Sequence, residues 1–222
     1  MRMESLKLSF LLVAIFSLTS CVFGENTWTD PGVAADEDPL FMVQGEYGVA
    51  EEGQAWAVQV IAMGDGKLDA YVLEGGFPGL GFEKGKKRIH LTGELKDGVA
   101  TLSSSDKKAG AVIKDGSLAL TLDGEAIGDF PRLERKSPTL GKKAPEGAIV
   151  LFDGTSADAW EKGEVVDGLL RNNDIKTKRK FNDYHLHLEF RTPYKPFARG
   201  QARGNSGVYH QHRYETQVLD SF

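Results

Sequence analysis

Residues 88–102 read RIHLTGELKDGVATL. Ile89, Leu91 and Gly93 alternate with His90, Thr92 and Glu94, so one side of this stretch is apolar or small and the other polar. That period of two belongs to a half-buried β-strand. Lys96-Asp97-Gly98 then turns the chain into a second run, Val99 to Leu102. Asp-Gly between two such runs is a strong local signal for a hairpin.

The same grammar extends in both directions. Upstream, Gln54 to Met63 (QAWAVQVIAM) reads as a strand, Gly64-Asp65-Gly66 as a hairpin turn, and Lys67 to Leu73 (KLDAYVL) as its partner. Downstream, Val112 and Ile113 lead through Asp115-Gly116 into Leu118 to Leu122. No helical period of useful length occurs between residues 41 and 135. The expectation for 41–135 is an all-β unit: an antiparallel meander, sandwich or small barrel. The glycine-rich run Gly75 to Gly81 has no helix signal after it and is read as a loop, not a phosphate cradle.

Residues 1–24 read as a targeting segment. Arg2 and Lys7 precede an apolar run, Leu8 to Leu18, that is too short to span a bilayer. Leu18-Thr19-Ser20-Cys21 resembles a bacterial lipobox, in which Cys21 is lipidated; Val22-Phe23-Gly24 offers ordinary signal cleavage instead. The expected location is therefore outside the cytoplasm, periplasmic or extracellular, with a lipid anchor to a membrane as one of the two outcomes. Cys21 is the only cysteine, which excludes an intramolecular disulfide and a cysteine-rich zinc site. The net charge of −5 gives no general attraction to phosphate backbones, so nucleic acid is not an expected partner.

Residues 25–40 (ENTWTDPGVAADEDPL) are acidic and without period, and read as a linker. Residues 136–146, basic and containing two prolines, form a second linker and the best domain boundary. Beyond it, Ile149 to Phe152 reads as a buried strand closed by Asp153-Gly154, and Val165 to Leu170 holds another Asp-Gly turn. Tyr184 to Arg191 (YHLHLEFR) alternates strictly, and 207–209 with 214–219 form a hairpin around Gln211-His212.

Several blocks in this last part carry a family resemblance. They are Leu151-Phe152-Asp153-Gly154-Thr155-Ser156, Trp160, Phe181 with Tyr184 to Arg191, Arg199-Gly200-Gln201, Arg203 to Tyr209 (RGNSGVY) and Arg213 to Ser221 (RYETQVLDS). In order and spacing, residues 147–222 resemble the 3-keto-disaccharide hydrolase family. The resemblance implies the start of a concanavalin A-like jelly-roll β-sandwich. Residues 41–135 are similar, less distinctly, to an accessory β-domain found ahead of such hydrolase domains. The pattern runs to Phe222 without the strands a sandwich needs, which raises the expectation of a longer gene product.

The chemistry implied is cleavage of sugars oxidised to a ketone at C3. The ketone acidifies the C2 proton; a base removes it, donors or a metal stabilise the enolate, and the C1 substituent leaves. Glu215 and Glu189 are the candidate acid–base residues. Arg191, Arg203, Asn205, Gln217 and Asp220 are the candidate grips on a carbohydrate substrate. Glu215 and Gln217 are two apart and share a strand face; Asp220 points the other way in an unbroken strand. His185, His187 and His210 could hold a divalent metal ion, or could be exposed polar positions of a half-buried sheet. His212 stands where the family turn is expected to have glycine. A non-catalytic carbohydrate-binding module on the same scaffold is the competing function. The oligomeric state is not indicated by the sequence.

Overall fold

The computed structural model describes residues 27–220, so the targeting segment and Cys21 lie outside the described residues. The fold is all-β. Its organising feature is a run of Asp-Gly turns at 65–66, 97–98, 115–116 and 123–124. In each, the aspartate has φ between 49° and 51° and the glycine φ between 72° and 85°. Two successive left-handed residues twist a two-residue turn to match the twist of its flanking strands, so each pair closes a tight hairpin.

The turns join β2 (Trp56–Gly64) to β3 (Lys67–Glu74), β4 (Arg88–Lys96) to β5 (Val99–Ser103), β6 (Ala109–Lys114) to β7 (Ser117–Leu122), and β7 to β8 (Glu125–Leu133), while the longer connections 75–87 and 104–108 lead from β3 to β4 and from β5 to β6. A short first strand, β1 (Gly45–Tyr47), pairs antiparallel with both β8 and β2. The sheet thereby closes on itself as an eight-stranded antiparallel barrel, the small-barrel form of the expected all-β unit. Closure removes the free edges that an open meander would expose.

The interior is filled by side chains. Val58, Leu68, Val72, Leu91, Leu102 and Leu118 are all buried and belong to one cluster. Gly93 shares the inward face with Leu91. A Cβ there would lie 2.0 Å from the Thr101 carbonyl oxygen and 2.7 Å from Leu102 Cα, so only glycine lets β4 and β5 approach this closely.

The expected linker at 25–40 is corrected in part. Two short helices, α1 (Pro31–Glu37) and α2 (Pro39–Val43), lie there. Asp30 caps the first by accepting from the Gly32 and Val33 amides, and Asp38 caps the second through Leu40. Proline follows each cap, where its missing N–H costs nothing. Ala34 and Leu40 are buried in the barrel cluster, so these helices are part of the core.

Past residue 135 the regular structure thins. Residues 136–159 are almost wholly exposed and carry no strand. Ile149 to Phe152, expected as a buried strand, is not one here; Ile149 and Val150 are exposed. Two-residue pairings join 160–161 to 176–177 and 165–166 to 169–170. Tyr184 to Arg191 forms no ladder. The expected C-terminal hairpin is present as β9 (Asn205–His210) and β10 (Tyr214–Leu219), preceded by a single helical turn, Gln201–Gly204. Among the described residues no helix is long and apolar enough to cross a membrane.

Candidate functional site

The hairpin β9–β10 has two faces, fixed by its register. Tyr209 stands opposite Glu215, Gly207 opposite Gln217, and Asn205 opposite Leu219. Partners across an antiparallel pair share a face. Asn205, Tyr209, Glu215 and Gln217 therefore lie together around Gly207.

Their side chains are joined. Gln217 Nε2 donates to Asn205 Oδ1 at 2.8 Å, and the Tyr209 hydroxyl donates to Glu215 Oε2 at 3.1 Å. Glu215 folds over Gly207, where a Cβ would meet its carboxylate. The bond to Glu215, then the negative charge it carries, pushes the Tyr209 phenol above its ordinary pKa. Tyr209 thus keeps its proton and donates it in the hydrogen bond to Glu215. The face offers one carboxylate, lying over Gly207, one phenol and two amides, with amide N–H groups able to meet ligand oxygens.

The opposite face carries different chemistry. The Tyr184 hydroxyl lies 2.7 Å from His210 Nδ1, and His210 Nε2 lies 3.0 Å from Thr216 Oγ1. Tyr184, His185, His210 and Tyr214 line a wide, open hollow on this side.

The other candidates are placed elsewhere. Glu189 accepts hydrogen bonds from Thr139 at 2.6 Å and Ser137 at 2.8 Å, with His187 Nε2 3.5 Å away. Those hydroxyls, Thr139 first, hold its carboxyl below the usual range. It faces the linker, not the hairpin. Arg191 is exposed and has no carboxylate partner among the described residues. Arg203 is 2% exposed; its Nε donates to Asp220 Oδ2 at 2.9 Å and its Nη1 to the Ala62 carbonyl at 3.0 Å. Arg203 and Asp220, read from the sequence as grips on a substrate, are here each other's partners.

The three candidate metal ligands do not converge. His185 and His210 line the open hollow, while His187 accompanies Glu189. Among the described residues no group of three or more His, Cys, Asp or Glu is set to hold a metal ion. In the hairpin turn, Gln211 has φ 53° and His212 φ 56°. His212 thus adopts the left-handed geometry for which glycine is suited, so its departure from the family pattern leaves the turn intact at a local conformational cost.

Tyr209 is the functional candidate that sequence reading missed. Its signal was its alternation with Asn205 and Gly207 opposite Glu215 and Gln217. No curated protein and no solved structure matches the chain. Residues 147–222, the stretch that contains this hairpin, match the family model of the 3-keto-alpha-glucoside-1,2-lyase-like domain, which supports the resemblance to the 3-keto-disaccharide hydrolase family.

Proposed function

We propose that this chain serves the cleavage of 3-keto-glycosides, with the Asn205–Tyr209–Glu215–Gln217 face as the place where the sugar binds. The family match supports glycoside cleavage at the coarse level. The observation that carries the finer reading is the gathering of a carboxylate, a phenol and two side-chain amides on one face of the hairpin around Gly207.

Glu215 takes the C2 proton, which the neighbouring C3 ketone has made acidic. The electron pair from the C2–H bond moves toward the ketone oxygen, and N–H groups of Asn205 and Gln217 donate to the oxyanion as it forms. The C1–O bond then breaks, with its electrons and a proton going to the leaving alcohol. Water adds across the C1–C2 double bond, so the net change is hydrolysis. Tyr209, hydrogen-bonded to Glu215, holds that carboxylate in place.

The test is incubation with a 3-keto-disaccharide and, separately, with its unoxidised parent. The expected result is cleavage of the keto sugar alone, with Glu215→Gln lowering the rate by about 100-fold or more, the scale of a lost general base. Equal turnover of the parent would move the assignment to an ordinary glycosidase.

A second reading, a carbohydrate-binding module, is favoured by the exposure of Tyr184, Tyr209 and Tyr214 on and beside the hairpin, and by the separation of Glu189 from Glu215. Exposed aromatic rings suit stacking on sugars. Measurable affinity for either sugar without turnover is the outcome that would select it.

The same reading places the chain outside the cytoplasm, on the strength of residues 1–24. Cys21, if lipidated, would leave the protein in a membrane fraction.

A further inference from the structure

We infer that the N-terminal barrel is a working part of this site: through Arg203 it fixes the position of the hairpin that carries Asn205, Glu215 and Gln217. The inference rests on the reading of that face given above.

The barrel and the hairpin are joined by one continuous stretch, 194–203, fastened at successive points. Trp28 and Tyr194 exchange two backbone hydrogen bonds, of 3.0 and 2.8 Å. The Tyr194 hydroxyl donates to Asp38 Oδ2 at 2.7 Å, and its ring packs against Trp28 and Phe41. Phe197 lies on Gly64, where a Cβ would come within 2.4 Å of the ring. Arg199 Nη2 donates to the Met63 carbonyl at 2.8 Å. Ala62, Met63 and Gly64 are the end of β2, where the ladder shifts register. That irregularity leaves carbonyls there to be met from outside the barrel.

Arg203 is the last fastening and differs from the rest in touching both parts at once. One arm is on the Ala62 carbonyl, the other on Asp220. The Asp220 amide in turn donates to the Gly204 carbonyl at 3.0 Å. Gly204 precedes β9 and Asp220 follows β10, so both ends of the hairpin meet at one buried guanidinium. Asn205 is the next residue beyond Gly204. A planar guanidinium fixes direction as well as distance, which an ammonium does not. The remaining side-chain ties of the hairpin, Asn172 to Ser206 and Tyr184 to His210, are exposed. Exposed hydrogen bonds exchange readily with water and define position weakly. Arg203 is therefore a positioning residue, and the barrel is the frame it positions against.

The test uses the full chain with Arg203→Gln, Arg203→Lys and Asp220→Asn, followed by hydrogen exchange, by the side-chain amide resonances of Asn205 and Gln217, and by turnover of a 3-keto-disaccharide. The expected result is amide exchange about 10-fold or more faster in 205–219, the behaviour of a segment released from its anchor, while the barrel amides of β4 and β7 keep their protection. The Asn205 and Gln217 resonances should shift in all three variants. Turnover should fall through kcat, with Arg203→Lys retaining more activity than Arg203→Gln. Asp220→Asn keeps the side-chain shape and so tests the anchor if the Arg203 variants fold poorly. Unchanged exchange and unchanged resonances in the hairpin would overturn the inference. Altered exchange in a protein that never cleaves the keto sugar would leave the anchor standing and remove the catalytic reading instead.

Discussion

Residues 88–96 and 184–191 have the same alternating pattern and opposite fates. The first is β4, bonded to β3 on one side and β5 on the other, with Leu91 wholly buried. The second has no ladder partner, and Leu186 and Leu188 remain 44% and 42% exposed. Alternation tells a strand which face is apolar. It does not supply the neighbours that cover that face. β4 is set beside β5 by the two-residue Asp97-Gly98 turn and beside β3 within the closed barrel, while 184–191 has no strand on either side among the described residues.

Truncation at matched leucines gives the sharpest contrast. Leu91→Ala should cost about 2–5 kcal/mol, the range for a buried leucine whose site cannot collapse. Leu188→Ala should change stability by less than about 0.5 kcal/mol, as at exposed positions. Denaturant unfolding followed by circular dichroism measures both. A large loss at Leu188 would mean that 184–191 is covered in solution, and the contrast would fail.

Alkaline pH separates the two regions next. Burial pushes the Tyr47 hydroxyl up to about 12, against a smaller lowering by Arg132, and the hydroxyl donates to the Val43 carbonyl at 2.6 Å. An unfolded tyrosine ionises near pH 10. Because the folded value is the higher one, the contribution is fully present below pH 10 and is lost as pH rises from 10 to 12. Two pKa units correspond to about 2–3 kcal/mol. Tyr47→Phe should flatten the alkaline limb of the barrel's stability curve. Tyr194 sits in the seam between the two regions, and burial, then its bond to Asp38, raises its pKa as well. The limb that remains in Tyr47→Phe should therefore shrink further in a double variant with Tyr194→Phe.

What the sequence disclosed follows the range of the interactions involved. The β character of 54–122, three of the barrel's Asp-Gly turns and the hairpin at 207–219 depend on residues a few positions apart, and all were legible. Closure was not, because it depends on Tyr47 and its two neighbours pairing with strands both near and about 85 residues away. The helices at 31–43 were signalled by Asp30-Pro31 and Asp38-Pro39, but a lack of apolar period hid them, since each is too short to show one. The shared face of Asn205, Glu215 and Gln217 follows from hairpin register. The placement of Arg203 could not be read, because its partner at Ala62 is 141 residues away and is a backbone carbonyl, which leaves no mark in side-chain chemistry.

The smallest effect tests the linker contact of the less regular region. Glu189 is held below the usual carboxylate range by the Thr139 hydroxyl, then that of Ser137, with His187 a smaller contributor. The two hydroxyls belong to 136–146, so the contact ties the expected linker to 184–191. For a carboxylate whose folded pKa is depressed, the tie is at full strength above the unfolded value, about 4.3. It weakens as pH falls through the folded value, when the carboxyl gains a proton and loses acceptor capacity. Thr139→Ala should raise the Glu189 midpoint toward 4.3, and Ser137→Ala should raise it less. Carboxyl carbon resonances followed from pH 6 to 2 report this directly, and the barrel's resonances should not move with them. A Glu189 midpoint equal in both variants and in the parent chain would show that the linker does not rest on 184–191. The separation between the closed barrel and the open strand would then be wider than the hydrogen bonds at Glu189 imply.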